Sequence, residues 1–148
     1  MSESTPGLSA ERNSAIRESF LRQGMMLALG AQIVSLEAGR AVFRLPFSDR
    51  VTQQQGLFHG GAVAALADIA AGYSAMTVGA EGGEVTTVEF KINFINGALG
   101  DAIEATGVVE KAGRSLVISR VEVSAITAGE RKTCALMQAT LMPVPKKY

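Results

Sequence analysis

Apolar and polar side chains alternate along residues 87–94 with a period of two. The apolar positions are Val88, Phe90, Ile92 and Phe94, and the polar positions are Thr87, Glu89, Lys91 and Asn93. Such alternation is typical of a β-strand. Residues 87–94 therefore predict the clearest strand of the chain, preceded by a turn at Gly82 and Gly83.

Five shorter segments also have the composition of strands. They are residues 32–36, 40–45, 102–110, 116–125 and 132–142. Short turns join neighbouring segments at residues 37–39, 111–114 and 128–130, and links of this length connect antiparallel strands. The pattern predicts an opening hairpin and, after the middle of the chain, four consecutive antiparallel strands.

Two helices are predicted beside these strands. Residues 10–29 carry apolar side chains at roughly helical spacing, with Ser9 as the N-cap and the end near Gly30. Residues 61–78 are alanine-rich and apolar on nearly every side, as in a helix that is buried all round. We therefore expect an α+β fold in which one long, curved antiparallel sheet wraps around an apolar helix. Residues 10–148 form its single domain, after a flexible tail of residues 1–9.

Charge and composition exclude several classes of function. The 14 basic and 14 acidic residues balance, so neither nucleic acid nor a basic partner is expected. Residues 51–80 are weakly charged, but their glycines, glutamines and central carboxylate indicate a buried helix of a soluble domain, so no membrane is expected either. One cysteine, Cys134, and one histidine, His59, can form neither a disulfide nor a zinc site. The first residues lack the pattern of a signal peptide. We expect a cytoplasmic protein without a metal.

His59 and Asp68 are the only acidic or basic side chains between residues 51 and 80. A carboxylate within an apolar helix is costly, so Asp68 either serves a reaction or faces solvent or an interface. Gly60 and Gly61 stand at the predicted helix start, where free amides and the helix dipole favour an oxyanion. The alternative interpretations are a satisfied histidine that caps a loop and glycines that shape a tight turn.

The spacing of Gly60 and Asp68 indicates where an active site would lie. Eight residues of helix separate them, which is about 12 Å along the axis. One carbonyl group cannot contact both. If both groups serve one reaction, the amide comes from one subunit and the carboxylate from another, so the active site lies at a two-fold interface.

Residues 56–68, GLFHGGAVAALAD, resemble the signature of hotdog-fold acyl-CoA thioesterases of the phenylacetic acid degradation (PaaI-type) family. Residues 86–94 resemble the strand that follows in that family, and the resemblance covers about residues 32–142. It implies a hotdog fold and hydrolysis of an aryl- or fatty-acyl-CoA thioester. It implies no cofactor beyond the CoA of the substrate.

The resemblance also implies roles for individual residues. Asp68 matches the catalytic carboxylate, as nucleophile or general base, Gly60 the oxyanion amide, and Thr87 a hydroxyl that positions water or the carboxylate. His59 helps to hold the turn and the pocket wall. Gln53 stands where many members have an asparagine that orients water or substrate, and this is the main departure from the family pattern.

Substrate-binding roles follow from the same resemblance. The coenzyme phosphates are expected near the turn before the penultimate strand, although an ordinary solvated turn explains the same residues equally well. The candidates for binding substrate or CoA are Gly61, Lys111, Gly113, Arg114 and Ser115, with Lys91 and Asn96 as weaker ones. The candidates for an acyl pocket, or simply for the core, are Met25, Met26, Phe58, Tyr73 and Met76.

The expected assembly is a homo-oligomer with active sites at the dimer interface, arranged as a dimer of dimers. The runner-up function is a non-catalytic acyl-CoA-binding module on the same scaffold, with Gln53 marking lost chemistry. A hydratase would need a histidine working with a carboxylate, and the only histidine lies in the glycine-pair turn. A purely structural oligomer would leave Asp68 without an explanation.

Overall fold

The computed structural model describes residues 7–148. In chain order, the elements are α1 (Ala10–Phe20), α2 (Gly24–Leu29), β1 (Gln32–Glu37), β2 (Arg40–Pro46), a short 3-10 turn (Asp49–Val51), α3 (Gly60–Met76), β3 (Gly83–Phe94), β4 (Ala102–Ala112), β5 (Val117–Thr127) and β6 (Glu130–Pro145). The predicted order is confirmed, apart from the division of the first helix.

The six strands form one sheet in the order β1-β2-β4-β5-β6-β3, and every neighbouring pair is antiparallel. Helix α3 contacts β2, β3, β4, β5 and β6, so the sheet curves around it. Ten of its 17 residues are buried. The predicted α+β hotdog fold, a curved antiparallel sheet around a central apolar helix, is confirmed.

Gly107 allows a close approach between the sheet and α3. A Cβ atom at this position of β4 would lie 2.2 Å from the carbonyl oxygen of Ala70 in α3. Both partners are backbone, so no side chain can turn away to make room. The absent side chain therefore sets how deeply α3 sits in the concave face, and with it the position of Asp68 two residues before Ala70.

The predicted single helix over residues 10–29 is wrong, because it is divided between Phe20 and Gly24. Gln23 has non-helical dihedral angles, and the amides of Arg22 and Gln23 bond to carbonyl groups three residues earlier. The buried stripe therefore ends at Phe20, and Met26 returns to the core on a second, short helix.

The predicted N-terminal tail lies mostly in residues 1–6, which are outside the described residues. Leu8 packs against the core, and the hydroxyl of Ser9 accepts a hydrogen bond from the Arg12 amide as the predicted N-cap of α1. The packed part of the chain thus begins at least two residues before α1.

Strand β3 departs from simple alternation at a β-bulge between Thr87 and Glu89. Thr87 pairs with Leu141, and Phe90 pairs with Ala139, and these two β6 residues lie on the same buried face. Because directly opposed residues share a face, the bulge puts Thr87 on the helix side together with Phe90. The strict period of two had placed it on the opposite side, with Glu89.

Candidate active site

Asp68 lies on α3 where the helix faces the bulge of β3. Its side chain is half-buried, and the hydroxyl of Thr87 donates a hydrogen bond of 2.7 Å to its Oδ1 atom. Among residues 7–148, no protein group donates to Oδ2. One carboxylate oxygen is thus held in place, and the other is available to a water molecule or a substrate.

A small cleft opens beside this carboxylate. Its volume is about 120 Å³. It is lined by Gln23, Asp68, Ile69, Gly72, Tyr73, Met76, Glu84, Val85 and Thr87. We call it the Asp68 cleft. Gln23 and Glu84 were missed by sequence reasoning, because they are remote from Asp68 along the chain and belong to no motif.

His59 is the N-cap of α3. Its Nδ1 atom accepts a hydrogen bond of 2.8 Å from the Gly61 amide, so the proton of a neutral ring lies on Nε2. His59 is thus a hydrogen-bonded capping residue, and the group that it caps is the start of a helix, not a loop. The Gly61 amide is occupied by this bond and is unavailable to a substrate.

The Gly60 amide is free, in contrast to that of Gly61. Among residues 7–148 this amide has no protein acceptor, and Gly60 is the first residue of a 17-residue helix. A free amide at such a terminus, reinforced by the helix dipole, favours a negatively charged oxygen. The ring of Phe94 lies about 3.4 Å from the place where a Gly60 side chain would begin, so only a small residue leaves space here.

Gly60 opens into a second cleft of about 190 Å³, which we call the Gly60 cleft. Gln53 lines it too, and its side-chain oxygen accepts a hydrogen bond from the Gln55 amide, which fixes the loop. Asn96 also lines it, but its Nδ2 atom donates to the carbonyl of Thr133 at 2.9 Å. Gln53 therefore keeps its amide NH₂ for a ligand, whereas Asn96 is engaged in the structure.

The two clefts are separate within one chain. No residue lines both of them, and Gly60 and Asp68 lie eight residues apart on a single helix. The separation of Gly60 and Asp68 that the sequence predicts is therefore present in the structure. A single acyl carbonyl cannot contact both groups of the same chain.

The candidates for binding the CoA phosphates lie far along β4 and the turn that follows. Lys111, Arg114 and Ser115 are exposed, so their polar groups are accessible to an anion. The Gly113 amide donates to the Leu116 carbonyl at 2.9 Å and is therefore committed to the turn. Lys91 is exposed on β3, opposite Gln138.

The acyl-pocket candidates have different surroundings. Tyr73 and Met76 line the Asp68 cleft, and Phe58 lines the Gly60 cleft. Met26 belongs to the core, and Met25 is exposed on α2. Two of the five thus lie beside Asp68, as an acyl-binding role requires.

Two features of the described residues bear on other classes of protein. Within residues 7–148, no group of three or more His, Cys, Asp or Glu side chains is arranged to hold a metal ion. None of the helices in this part of the chain is long and apolar enough to cross a membrane.

Comparison with known proteins decides the family. The model of the thioesterase superfamily matches residues 55–131, slightly more than half of the chain. This chain belongs to the thioesterase superfamily. The matched residues include Gly60, Asp68 and Thr87, the groups that the structure places at the two clefts.

Individual relatives agree with this assignment. A candidate esterase from Saccharolobus solfataricus is 31% identical over 73% of this chain and 77% of its own. The crystal structure of a thioesterase family protein from Silicibacter pomeroyi is 38% identical, with a TM-score of 0.88 over 91% of this chain and 99% of that one. The PaaI protein of Escherichia coli, from the phenylacetic acid degradation operon, has a TM-score of 0.81 at 23% identity, covering 93% and 96% of the two chains, and shares the fold. The protein is thus a hotdog-fold thioester hydrolase.

Proposed function

We propose that this thioesterase hydrolyses acyl-CoA as a homo-oligomer, in active sites that combine Asp68 of one protomer with Gly60 of its partner. The observation that carries this proposal is the division of the candidate groups between two separate clefts. Each cleft holds half of what hydrolysis needs, namely a carboxylate in one and a free oxyanion amide in the other.

The free edge of β3 supports the two-fold arrangement. Within residues 7–148, β3 pairs only with β6, so its other edge is unpaired. Three apolar side chains of β3 are exposed: Val88 (54%), Phe90 (41%) and Phe94 (55%). A long, apolar, unpaired edge is a site for pairing with another chain. A second copy would cover both the backbone groups and the rings.

The arrangement along β3 also makes such pairing productive. Thr87 contacts Asp68, and Phe94 packs over Gly60, seven residues further along the strand. If two β3 strands pair antiparallel about a two-fold axis close to Lys91, Thr87 of one protomer lies opposite Phe94 of its partner. Pairing therefore brings the Asp68 cleft of each chain to the Gly60 cleft of the other, and each dimer has two sites.

The chemistry then follows from the groups that meet. The acyl carbonyl accepts a hydrogen bond from the free Gly60 amide, which stabilises the oxyanion as it forms. Gln53, in the same cleft, donates its amide NH₂ and orients the substrate. Oδ2 of Asp68 either removes a proton from the attacking water or attacks the carbonyl carbon itself, while Thr87 holds Oδ1. In the first route the C–S bond breaks, the CoA thiolate takes up the proton held by Asp68, and the free acid departs. In the second route the C–S bond breaks to leave a mixed anhydride on Asp68, and a water molecule then hydrolyses it to give the free acid, a proton for the CoA thiolate and the regenerated carboxylate.

The coenzyme is assigned to the surface beside the β4–β5 turn. The side chains of Lys111 and Arg114 and the Ser115 hydroxyl supply positive charge and donors for phosphate oxygens. We expect the assembly to be a dimer of dimers, and we place the protein in the cytoplasm.

Thiol release from a panel of aryl and straight-chain acyl-CoAs tests the proposal. Asp68→Asn keeps the shape and a hydrogen-bond acceptor but removes the charge, so most turnover should be lost while the fold remains. Asp49→Asn, at an exposed carboxylate in the 3-10 turn, is the matched control and should keep its activity. Thermal stabilisation of the wild type by acyl-CoA without any turnover would instead indicate a binding module.

A further inference from the structure

A chain of hydrogen bonds runs along the wall of the Asp68 cleft. Gln23 Nε2 donates to Tyr73 Oη at 3.3 Å, Tyr73 Oη and Ser19 Oγ are 3.2 Å apart, and Ser19 Oγ donates to Glu84 Oε2 at 3.3 Å. The Tyr148 hydroxyl donates to the other oxygen of Glu84. Three of these residues, Gln23, Tyr73 and Glu84, line the cleft itself.

The carboxylate at the end fixes the direction of the whole chain. Ionised Glu84 can only accept, so the single proton of Ser19 points toward it. The Tyr73 hydroxyl must then donate to Ser19, and Gln23 must donate to Tyr73. The order of protons also settles the orientation of the Gln23 amide, with its nitrogen toward Tyr73.

This direction determines what the wall offers to a ligand. Tyr73 has used its proton and one lone pair, so a second lone pair remains as an acceptor. The Gln23 side-chain oxygen accepts from no protein donor among residues 7–148, and its second N–H is also unused. Burial raises the pKa of Tyr73, so the hydroxyl stays neutral and keeps this pattern. Two of the three groups left for a ligand, the Tyr73 lone pair and the Gln23 oxygen, are therefore hydrogen-bond acceptors.

The size of the cleft limits the ligand. In proteins generally, an apolar cavity of about 150 Å³ holds one benzene molecule. The Asp68 cleft, at about 120 Å³, therefore fits roughly five heavy atoms of an acyl group. Tyr73 follows Asp68 by five residues on the same helix, which is about 7.5 Å along the axis. A group that reaches Tyr73 thus lies at the far end of a short acyl chain whose carbonyl is at Asp68.

We propose that Tyr73 and Gln23 are specificity-determining residues that select short acyl groups ending in a hydroxyl. Such a group donates to the free lone pair of Tyr73 or to the Gln23 oxygen, and it accepts from the second Gln23 N–H. An unsubstituted chain displaces water from these polar groups and offers them no partner. A terminal carboxylate cannot donate and meets the charge of Glu84.

This inference rests on the proposed function, because it assumes that the acyl chain occupies the Asp68 cleft during hydrolysis. The test compares kcat/KM for hexanoyl-CoA, for the same chain with a terminal hydroxyl, and for adipoyl-CoA, which ends in a carboxylate. We expect the wild type to prefer the hydroxylated chain at least tenfold over hexanoyl-CoA and to disfavour adipoyl-CoA.

Two variants and one control test whether Tyr73 and Gln23 cause the preference for the hydroxylated chain. Tyr73→Phe removes the hydroxyl within the cleft, and Gln23→Leu replaces the amide with an apolar side chain of similar size at a half-buried position. Both variants should reduce the preference to near unity. Gln138→Leu makes the same change as Gln23→Leu at an exposed position of β6 that does not line the cleft, and it should leave the preference intact.

The outcomes separate the two proposals. No turnover of any acyl-CoA by the wild type overturns the proposed function. Equal kcat/KM for the hydroxylated and plain chains, or turnover of other acyl-CoAs but of neither member of this pair, overturns the specificity assignment and leaves hydrolysis standing. A preference that survives in Gln23→Leu and in Tyr73→Phe also contradicts it.

Discussion

The hydrogen bond from Thr87 to Asp68 should be worth a measurable part of the rate. Thr87→Val replaces the hydroxyl with a methyl group of similar volume, so the packing beside α3 is retained. The bond is 2.7 Å long and ends on a carboxylate. Hydrogen bonds to charged groups contribute about 1.5–3 kcal/mol, and each 1.4 kcal/mol corresponds to about a factor of ten.

The half-buried position of Asp68 decides where in this range the effect falls. Water can replace part of the lost bond, so we expect kcat to fall by about tenfold to thirtyfold, at the lower end of the range. KM should hardly change, because Thr87 acts on the carboxylate. Thr87→Ser restores the donor and should recover most of the rate.

The neighbouring threonine is a matched control for this experiment. Thr86 precedes Thr87 in β3, but its side chain is exposed and pairs across the sheet with Met142. Steady-state kinetics of Thr86→Val should match the wild type. A Thr87→Val enzyme with the wild-type kcat, or an equal loss in Thr86→Val, would refute the assigned role of Thr87.

Two further predictions concern the fold that positions the site. Gly107→Ala places a Cβ atom 2.2 Å from a backbone oxygen, so chemical denaturation should show a free energy of unfolding that is lower by about 3 kcal/mol or more. Gly24→Ala is the control, because the space around Gly24 is open, and its free energy of unfolding should not fall. Burial raises the pKa of Tyr73 above its ordinary value of 10.0, so its contribution to stability is present below that pH and is lost as the pH rises through the higher value of the folded state. The unfolding temperature of Tyr73→Phe should therefore depend less on pH in the alkaline range than that of the wild type. Tyr148, the other tyrosine, is present in both proteins, so an equal pH dependence of the two unfolding temperatures would contradict this prediction.

The sequence predicted the framework because the framework depends on local patterns. The alanine-rich segment around Asp68 is apolar on every side, and that alone required a sheet wrapped around it. The short turns required antiparallel neighbours. The separation of Gly60 and Asp68 followed from the rise of a helix, which varies little between proteins.

Other features could not be predicted because they depend on contacts between distant parts of the chain. The bulge that turns Thr87 toward Asp68 inserts one residue into β3, and alternation carries no mark of it. Gln23 reaches Tyr73 only because the first helix breaks beside it. The sequence identified the carboxylate, whereas the wall that faces the acyl group emerged only from the structure.

Complementation between two inactive variants tests the shared active site most directly. Gly60→Pro removes the amide N–H at the first position of α3, where proline is well tolerated, and His59 before it already has the extended conformation that proline requires. Gly60→Ala adds a side chain but keeps the N–H, and it controls for bulk beside Phe94. Asp68→Asn supplies the other defect.

The two chains, Gly60→Pro and Asp68→Asn, are co-expressed with different tags, and the mixed dimer is purified through both. If each site takes Asp68 from one protomer and Gly60 from its partner, one site of the mixed dimer carries both defects and the other is intact. We predict that each parent is inactive and that the mixed dimer recovers about half of the wild-type rate per dimer. A mixed dimer as inactive as its parents would contradict the shared site and would place both groups within a single chain.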